Sequence, residues 1–176
     1  RGNVSCQGPR ACYDESKRVG ETLCYIFHGT NGTHTNTIRP FNVFGPGMQE
    51  TDYRVLPNFA SRIKGSLPLH VYGTGNQTRT FCYITDAVVG FLQVVLKGVA
   101  GEAYNIGNPE PEISMLDLVK RIETVASSHV EYDVVEYPDS YPADEPNRRA
   151  PDIRKARMQL DFAPTVTLDD GLKRFL

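Results

Sequence analysis

Tyr13-Asp-Glu-Ser-Lys-Arg-Val-Gly-Glu-Thr-Leu-Cys-Tyr-Ile-Phe-His28 has the spacing of a helix. Val19, Leu23, Ile26 and Phe27 recur at helical intervals and share one face. Gly29 and the polar run over residues 30–36 are expected to end it. Residues 37–43, Thr-Ile-Arg-Pro-Phe-Asn-Val, then read as a strand, and Phe44-Gly-Pro-Gly-Met48 as a loop. The alternation continues outward. A helix over 55–64 carries Pro57 in its first turn. A strand over 69–72 leads into the glycine-rich stretch 73–79, and a short strand covers 81–84. Thr85 is the expected N-cap of a buried helix over 86–96. A strand follows at 103–106, then a helix over 115–125 capped by Ser114, with Asp117 placed to meet the helix dipole. The pattern closes with a strand at 130–137, a proline-rich loop over 138–151 and two short helices, 152–160 and 168–175. Helices and short strands in alternation define an α/β fold.

The bulk numbers narrow the function. The chain has 176 residues, 19 basic against 21 acidic, and a net charge of -2 with no long run of either sign. Binding to a phosphate backbone needs a clustered positive face, so no nucleic-acid partner is expected. Cys6, Cys12, Cys24 and Cys82 have no CxxC spacing and no companion histidines, so no metal site is expected. They read as reduced thiols of a cytoplasmic protein. N-x-S/T triplets at Asn3, Asn31 and Asn76 stand without any other sign of secretion. No apolar run is long enough to span a bilayer. No G-x-x-G-x-x-G follows a strand, and the first element is a helix carrying polar groups. The expectation is a chain that starts inside a larger fold.

Tyr13 and Lys17 stand one helical turn apart on one face. An ammonium beside a phenol favours the phenolate. Such a phenol can take the proton of a sugar hydroxyl. A chance Tyr-x-x-x-Lys on a solvated face gives the same spacing.

The wider context resembles a known family. Gly8-Pro-Arg-Ala-Cys-Tyr-Asp-Glu-Ser-Lys-Arg-Val-Gly-Glu-Thr22 is similar to the catalytic helix of extended short-chain dehydrogenases, the NAD-dependent epimerase/dehydratase family, and within it to UDP-glucuronate decarboxylases. Further matching segments follow in the same order. They are Arg39-Pro-Phe-Asn-Val-Phe-Gly-Pro-Gly-Met48, Tyr72-Gly-Thr-Gly-Asn-Gln-Thr-Arg-Thr-Phe-Cys-Tyr-Ile-Thr-Asp86, Tyr104-Asn-Ile-Gly-Asn-Pro109 and Arg148-Arg-Ala-Pro-Asp-Ile153. One departure is Gly47, where the resembled decarboxylases carry arginine.

The resemblance implies the C-terminal part of an extended Rossmann-fold enzyme with its small substrate-binding domain. Residues 1–45 would supply the last helix and strand of the NAD-binding Rossmann domain, and 46–176 mainly the sugar-nucleotide-binding domain. It implies NAD as cofactor and a UDP-sugar or related nucleotide sugar as substrate. Tyr13 would be the acid/base, and Lys17 would also bind the nicotinamide ribose. Arg39 and Pro40 would lie by the nicotinamide. Asn42, Arg79 and Arg149 would hold the diphosphate. Two guanidinium forks suit a dianion rich in acceptor oxygens. Arg54 and Tyr72 would also face the substrate, with residues 55–59 and 69–72 around the nucleobase. A homodimer is implied, for which Val19, Leu23 and Ile26 offer a face that could equally be core. Tyr25, Tyr53, Tyr83 and Tyr104 are expected as core or rim aromatics.

Each polar residue has a plainer alternative. Asn42 also fits a turn residue bonding backbone, Arg79 a solvated loop cation, and Arg148 with Arg149 a surface ion-pair cluster beside Asp144, Glu145 and Asp152. The reaction stays open among decarboxylation, epimerisation and dehydration. A sugar-nucleotide-binding module without catalysis, and an interaction protein with inert motifs, are the competing classes.

Overall fold

The computed structural model describes residues 6–138 and 146–176. Helix α1 runs over Ala11–Asn31, three residues past the expected end. Gly29 is accommodated inside it. The left-handed cap falls instead on Gly32 (φ 67°), whose N–H bonds His28 O while the Thr33 N–H bonds Phe27 O. A glycine inside a helix costs only about 1 kcal/mol, whereas a left-handed cap favours one.

Strand β1 (Thr37–Pro40) is shorter than expected. Asn42 takes a left-handed φ of 42°, and β2 (Val43–Phe44) begins beyond it. Asparagine tolerates that backbone better than most residues. The break lets the chain change partners. β1 runs parallel to β6 (Ala103–Ile106), and β2 runs parallel to β5 (Cys82–Tyr83).

Helix α3 (Ile84–Lys97) joins β5 toward β6 as a right-sized crossover between parallel strands. Tyr83, not Thr85, is its N-cap, and no side chain caps it. Asp86 in the first turn serves a tertiary purpose. Its carboxylate accepts from the N–H groups of Thr165 (3.1 Å) and Val166 (2.9 Å) and from the Thr165 hydroxyl. The expectation of a wholly buried helix is corrected. Ala87, Gly90 and Val94 are buried, but Val88, Val89, Leu92, Val95 and Leu96 are exposed. All-round apolar composition predicts cover on all sides, and this chain covers one.

The buried face of α3 meets β6 and α5 (Arg154–Leu160). Val94, Tyr104, Ile106, Ile153, Ala156, Leu160 and Phe162 form one core, with Ile38 of β1 packed on it. This core draws on both sides of residue 45. Tyr104 is fully buried, and its hydroxyl bonds Gln159 Oε1 and receives the Val99 N–H. At Gly90 an added Cβ would lie 2.7 Å from Ile106 Cγ2 and 2.8 Å from Phe162 Cε2, so the helix approaches the strand only because no side chain is there.

A second core forms around a different pair of strands. Helices α2 (Val55–Lys64), α4 (Met115–Ala126) and α6 (Leu168–Phe175) pack around β3 (Leu69–Tyr72) and its parallel partner β8 (Tyr132–Val135). Leu56, Phe59, Leu69, Val71, Leu118, Ile122 and Leu172 fill it. Ser114 caps α4 as expected, its hydroxyl receiving the Asp117 N–H at 3.0 Å. A fourth, small sheet has the order β7 (Ile113–Ser114), β4 (Thr78–Arg79), β9 (Arg148–Arg149), with β4 and β9 inside two stretches expected as loops. Among the described residues no helix is long and apolar enough to cross a membrane, and no group of His, Cys, Asp and Glu could hold a metal.

Candidate nucleotide-sugar cleft

The small sheet builds the cationic end of the site. β4 and β9 are parallel, in a register that opposes Thr78 to Arg148 and Arg79 to Arg149. Opposed residues on adjacent strands project to the same face, about 4.8 Å apart along the hydrogen-bonding direction. Arg79 and Arg149, 70 positions apart in the chain, are therefore neighbours. Alternation sends the other pair to the opposite side. There Arg148 forks onto Glu112 (Nε–Oε1 2.8 Å, Nη2–Oε2 2.7 Å), and Thr78 donates to the same carboxylate. Those bonds hold the Glu112 carboxyl below its ordinary pKa. The expectation of a surface ion pair thus fits Arg148. Asp144 and Glu145, the other expected partners, lie outside the described residues.

Arg79 is 7% exposed and donates from Nη1 to Thr78 O (2.8 Å) and Asn147 O (3.2 Å). It is no solvated loop cation. With Arg149 it lines a cleft of about 350 Å³ that also receives Tyr13, Pro40, Asn42, Arg54 and Tyr72. Eight of the nine candidate residues named from the sequence can be placed relative to this cleft through seven lining residues and Lys17, which stands beside Tyr13 on α1.

Tyr13 is half exposed at the cleft mouth. Lys17 Nζ lies 5.3 Å from its ring centroid and the Arg10 guanidinium 5.2 Å, so cations flank the phenol from the turns before and after. Arg10 is fixed by an ion pair to Asp14 one turn on (3.2 Å). Arg54 forks onto Asp52 (Nε–Oδ1 3.0 Å), which holds the Asp52 carboxyl below its usual range. Asn42 behaves as the plainer alternative anticipated: its Nδ2 donates to Thr80 O (2.7 Å), tying β1–β2 to the strand before β5.

Arg39 does not line this cleft. Its side chain forks onto Glu21 of α1 (Nε–Oε1 2.7 Å), lowering the Glu21 pKa, and faces a separate groove with Tyr25, Asn105 and Lys155. Pro40, one residue on, points to the other side of β1 and reaches the cleft.

Sequence reading missed Gln77 and Tyr137, which also line it, and gave His70 only as part of the 69–72 segment. The signal for His70 was there. In Leu69-His-Val-Tyr72, Leu69 and Val71 are buried, so His70 and Tyr72 must share the opposite face. Tyr137 had no local signal, because its position follows from the β3–β8 register. It stacks on Tyr72 with centroids 5.6 Å apart at 23°. Of the tyrosines expected as core or rim, Tyr83 and Tyr104 are core, while Tyr25 and Tyr53 are exposed.

Residues 2–107 match the NAD dependent epimerase/dehydratase family. The chain belongs to that family. Among curated relatives it is 39% identical over 175 residues to UDP-glucuronic acid decarboxylase 1 of Danio rerio, covering 98% of this chain and 40% of that protein. UDP-glucuronic acid decarboxylase 1 of Arabidopsis thaliana is 39% identical, with 99% of this chain and 39% of that protein covered. The chain thus spans about 40% of the length of these epimerase/dehydratase relatives. Among solved structures, the UDP-glucuronic acid 4-epimerase of Bacillus cereus, in complex with UDP-glucuronic acid and NAD, superposes with a TM-score of 0.83. It is 28% identical, with 99% of this chain and 55% of that one covered. The extended Rossmann α/β architecture expected from the sequence is the fold of these neighbours.

Proposed function

We propose that the complete protein carrying this chain uses NAD to convert a nucleotide sugar through a 4-keto intermediate, and that the reaction is decarboxylation of UDP-glucuronate to UDP-xylose. The observation that supports this most is the β4–β9 register, which sets Arg79 beside Arg149 in the cleft that Tyr13 opens onto. Two guanidinium forks side by side match the acceptor oxygens of a diphosphate. NAD, when bound, supplies the acceptor for the C4 hydride. Tyr13 and Lys17 fit its nicotinamide ribose end, since phenol and ammonium lie together on one exposed face of α1. Arg39, committed to Glu21, is left out of the cofactor set, and Pro40 is kept.

Tyr13, acting as the phenolate beside Lys17, takes the C4 hydroxyl proton and becomes the neutral phenol. The C4 ketone and the carboxylate on C5 then form a β-keto acid. Its C5–carboxylate bond breaks, carbon dioxide leaves and C5 takes a proton; Tyr13 then returns its proton to the C4 oxygen as the hydride comes back to C4, giving UDP-xylose. Arg79 and Arg149 keep the diphosphate fixed so that C4 stays at Tyr13. Asn42 is assigned to shaping this end of the cleft through Thr80 as much as to touching the diphosphate. Arg54 and Tyr72 face the remaining substrate surface. The half-exposed Val19, Leu23 and Ile26 of α1 supply the face for a homodimer, and the four free thiols support the cytoplasmic assignment.

A second reading, 4-epimerisation of the same UDP-glucuronate, draws on the Bacillus cereus likeness and on Gly47. Its φ of 92° is backbone that glycine accepts and arginine resists. Proton NMR of the complete protein with UDP-glucuronate and NAD separates the two. UDP-xylose with one carbon dioxide per sugar is expected. UDP-galacturonate alone establishes the epimerase, and unchanged substrate sinks both readings.

A further inference from the structure

The cleft has an aromatic end where the roles above give Tyr137 no task. Tyr137 follows β8, two residues past Val135, the register partner of Tyr72. Its ring stacks on Tyr72, and His70 meets Tyr72 edge-on at 6.4 Å. Gly73, at φ 65°, leaves the room it needs: an added Cβ there would lie 2.8 Å from Tyr137 Cε2. Gln77 secures the arrangement, its Nε2 donating to Tyr72 O (2.9 Å) and to the Tyr137 hydroxyl (3.2 Å). The ring is thus held in place by a stack, a glycine and a hydrogen bond, while 39% of the residue stays exposed. A rigid, partly exposed aromatic in a polar cleft is a stacking platform that needs little ordering when a planar ligand arrives.

Gln77 also fixes where this platform stands. It lies two residues before Arg79, so the aromatic pair and the guanidinium pair sit at adjacent steps of one strand entry. A nucleoside diphosphate has the same order, with a flat base next to a dianion. We propose that Tyr137 is the stacking platform for the nucleobase of the substrate, extending the Tyr72–Tyr137 pair by one ring. This rests on the nucleotide-sugar reading above and deepens it. Every base has a π face, so the platform contributes affinity without choosing among bases.

The test uses the complete protein, with UDP and ribose 5-diphosphate, which lacks the base, as calorimetric probes. Tyr137→Ala is expected to weaken UDP about tenfold, within the range that base–aromatic stacking loses on alanine substitution. Ribose 5-diphosphate should stay within about twofold, and Tyr137→Phe, which keeps the ring and loses the hydroxyl that Gln77 bonds, should bind UDP like the parent. Undiminished UDP affinity in Tyr137→Ala overturns the inference. So does an equal loss for both ligands, which marks a general disturbance of the cleft, or a loss shared by Tyr137→Phe. A parent that binds neither probe overturns the proposed function and this inference with it. A parent that binds both while Tyr137→Ala keeps UDP overturns the inference alone.

Discussion

Replacing Arg79 with alanine tests the centre of the reading. The guanidinium is 7% exposed, donates to Thr78 O and Asn147 O, and stands in register with Arg149. Its loss has two separable effects. One of the two forks for the diphosphate disappears, and hydrogen bonds to charged groups contribute about 1.5–3 kcal/mol. At about 1.4 kcal/mol per factor of ten, that raises the Kd for UDP roughly 10- to 150-fold. Asn147 O also loses one of its two donors, keeping the Thr78 N–H (2.8 Å), which costs up to about 1 kcal/mol of stability and loosens the approach to β9. Calorimetric titration of UDP into the complete protein reads the first effect, and thermal melting reads the second. Arg79→Lys keeps the charge without the planar fork, so it should fall between parent and alanine. Arg149→Ala should weaken UDP similarly, and the double variant should show less than the sum, since both forks serve one dianion. Arg148→Ala is the internal control. It is adjacent to Arg149 in sequence, but its side chain is committed to Glu112 on the other face, so UDP affinity should stay within about twofold. A folded Arg79→Ala protein that binds UDP within twofold of the parent refutes the reasoning.

Three further outcomes are expected. Tyr13→Phe in the complete enzyme should lower turnover at least ~100-fold, the scale of a lost general acid/base, and turnover near the parental value removes Tyr13 from the chemistry. Gly90→Ala forces a methyl against Ile106 and Phe162 and should destabilise by about 1–3 kcal/mol, with an unchanged melting temperature as the contrary result. Burial, with the nearby Asp86 carboxylate adding to it, pushes the Cys82 thiol up to about 12. The group is therefore protonated at neutral pH, and the stability gained by burying it neutral is present below the ordinary thiol range and lost as pH rises toward about 12. Iodoacetamide at neutral pH should modify the exposed Cys6 and Cys12 in the native protein and Cys82 only after unfolding. Native-state labelling of Cys82 at a comparable rate contradicts this.

Much of the fold follows from local rules. The helix bearing Tyr13, the strand Leu69–Tyr72, the strand Ala103–Ile106 and the Ser114 cap were all set by periodicity and capping chemistry. The errors cluster where a long-range partner decides. Asn42 cut one expected strand into two because β5 competes with β6 for the chain. The loops around Arg79 and Arg149 became strands because each supplies the other's ladder. Thr85 lost the cap of α3 because the helix starts two residues earlier and Asp86 turns to Thr165 and Val166, about 80 positions away. Arg39 and Pro40 are consecutive, yet only the pleat assigns one to Glu21 and the other to the cleft.

The sequence by itself determined that helices and strands alternate, that a phenol and an ammonium share one helical face, and which segments resemble a nucleotide-sugar enzyme family. Those are properties of neighbours within a few residues, and dihedral preference and side-chain period decide them. The tertiary structure decided which arginine of the Arg148–Arg149 pair faces the cleft, and that Tyr137 meets Tyr72. It also decided that two cations 70 residues apart stand side by side. Strand register is a relation between distant segments: a shift of one residue would exchange Arg149 for Arg148 and turn the site inside out.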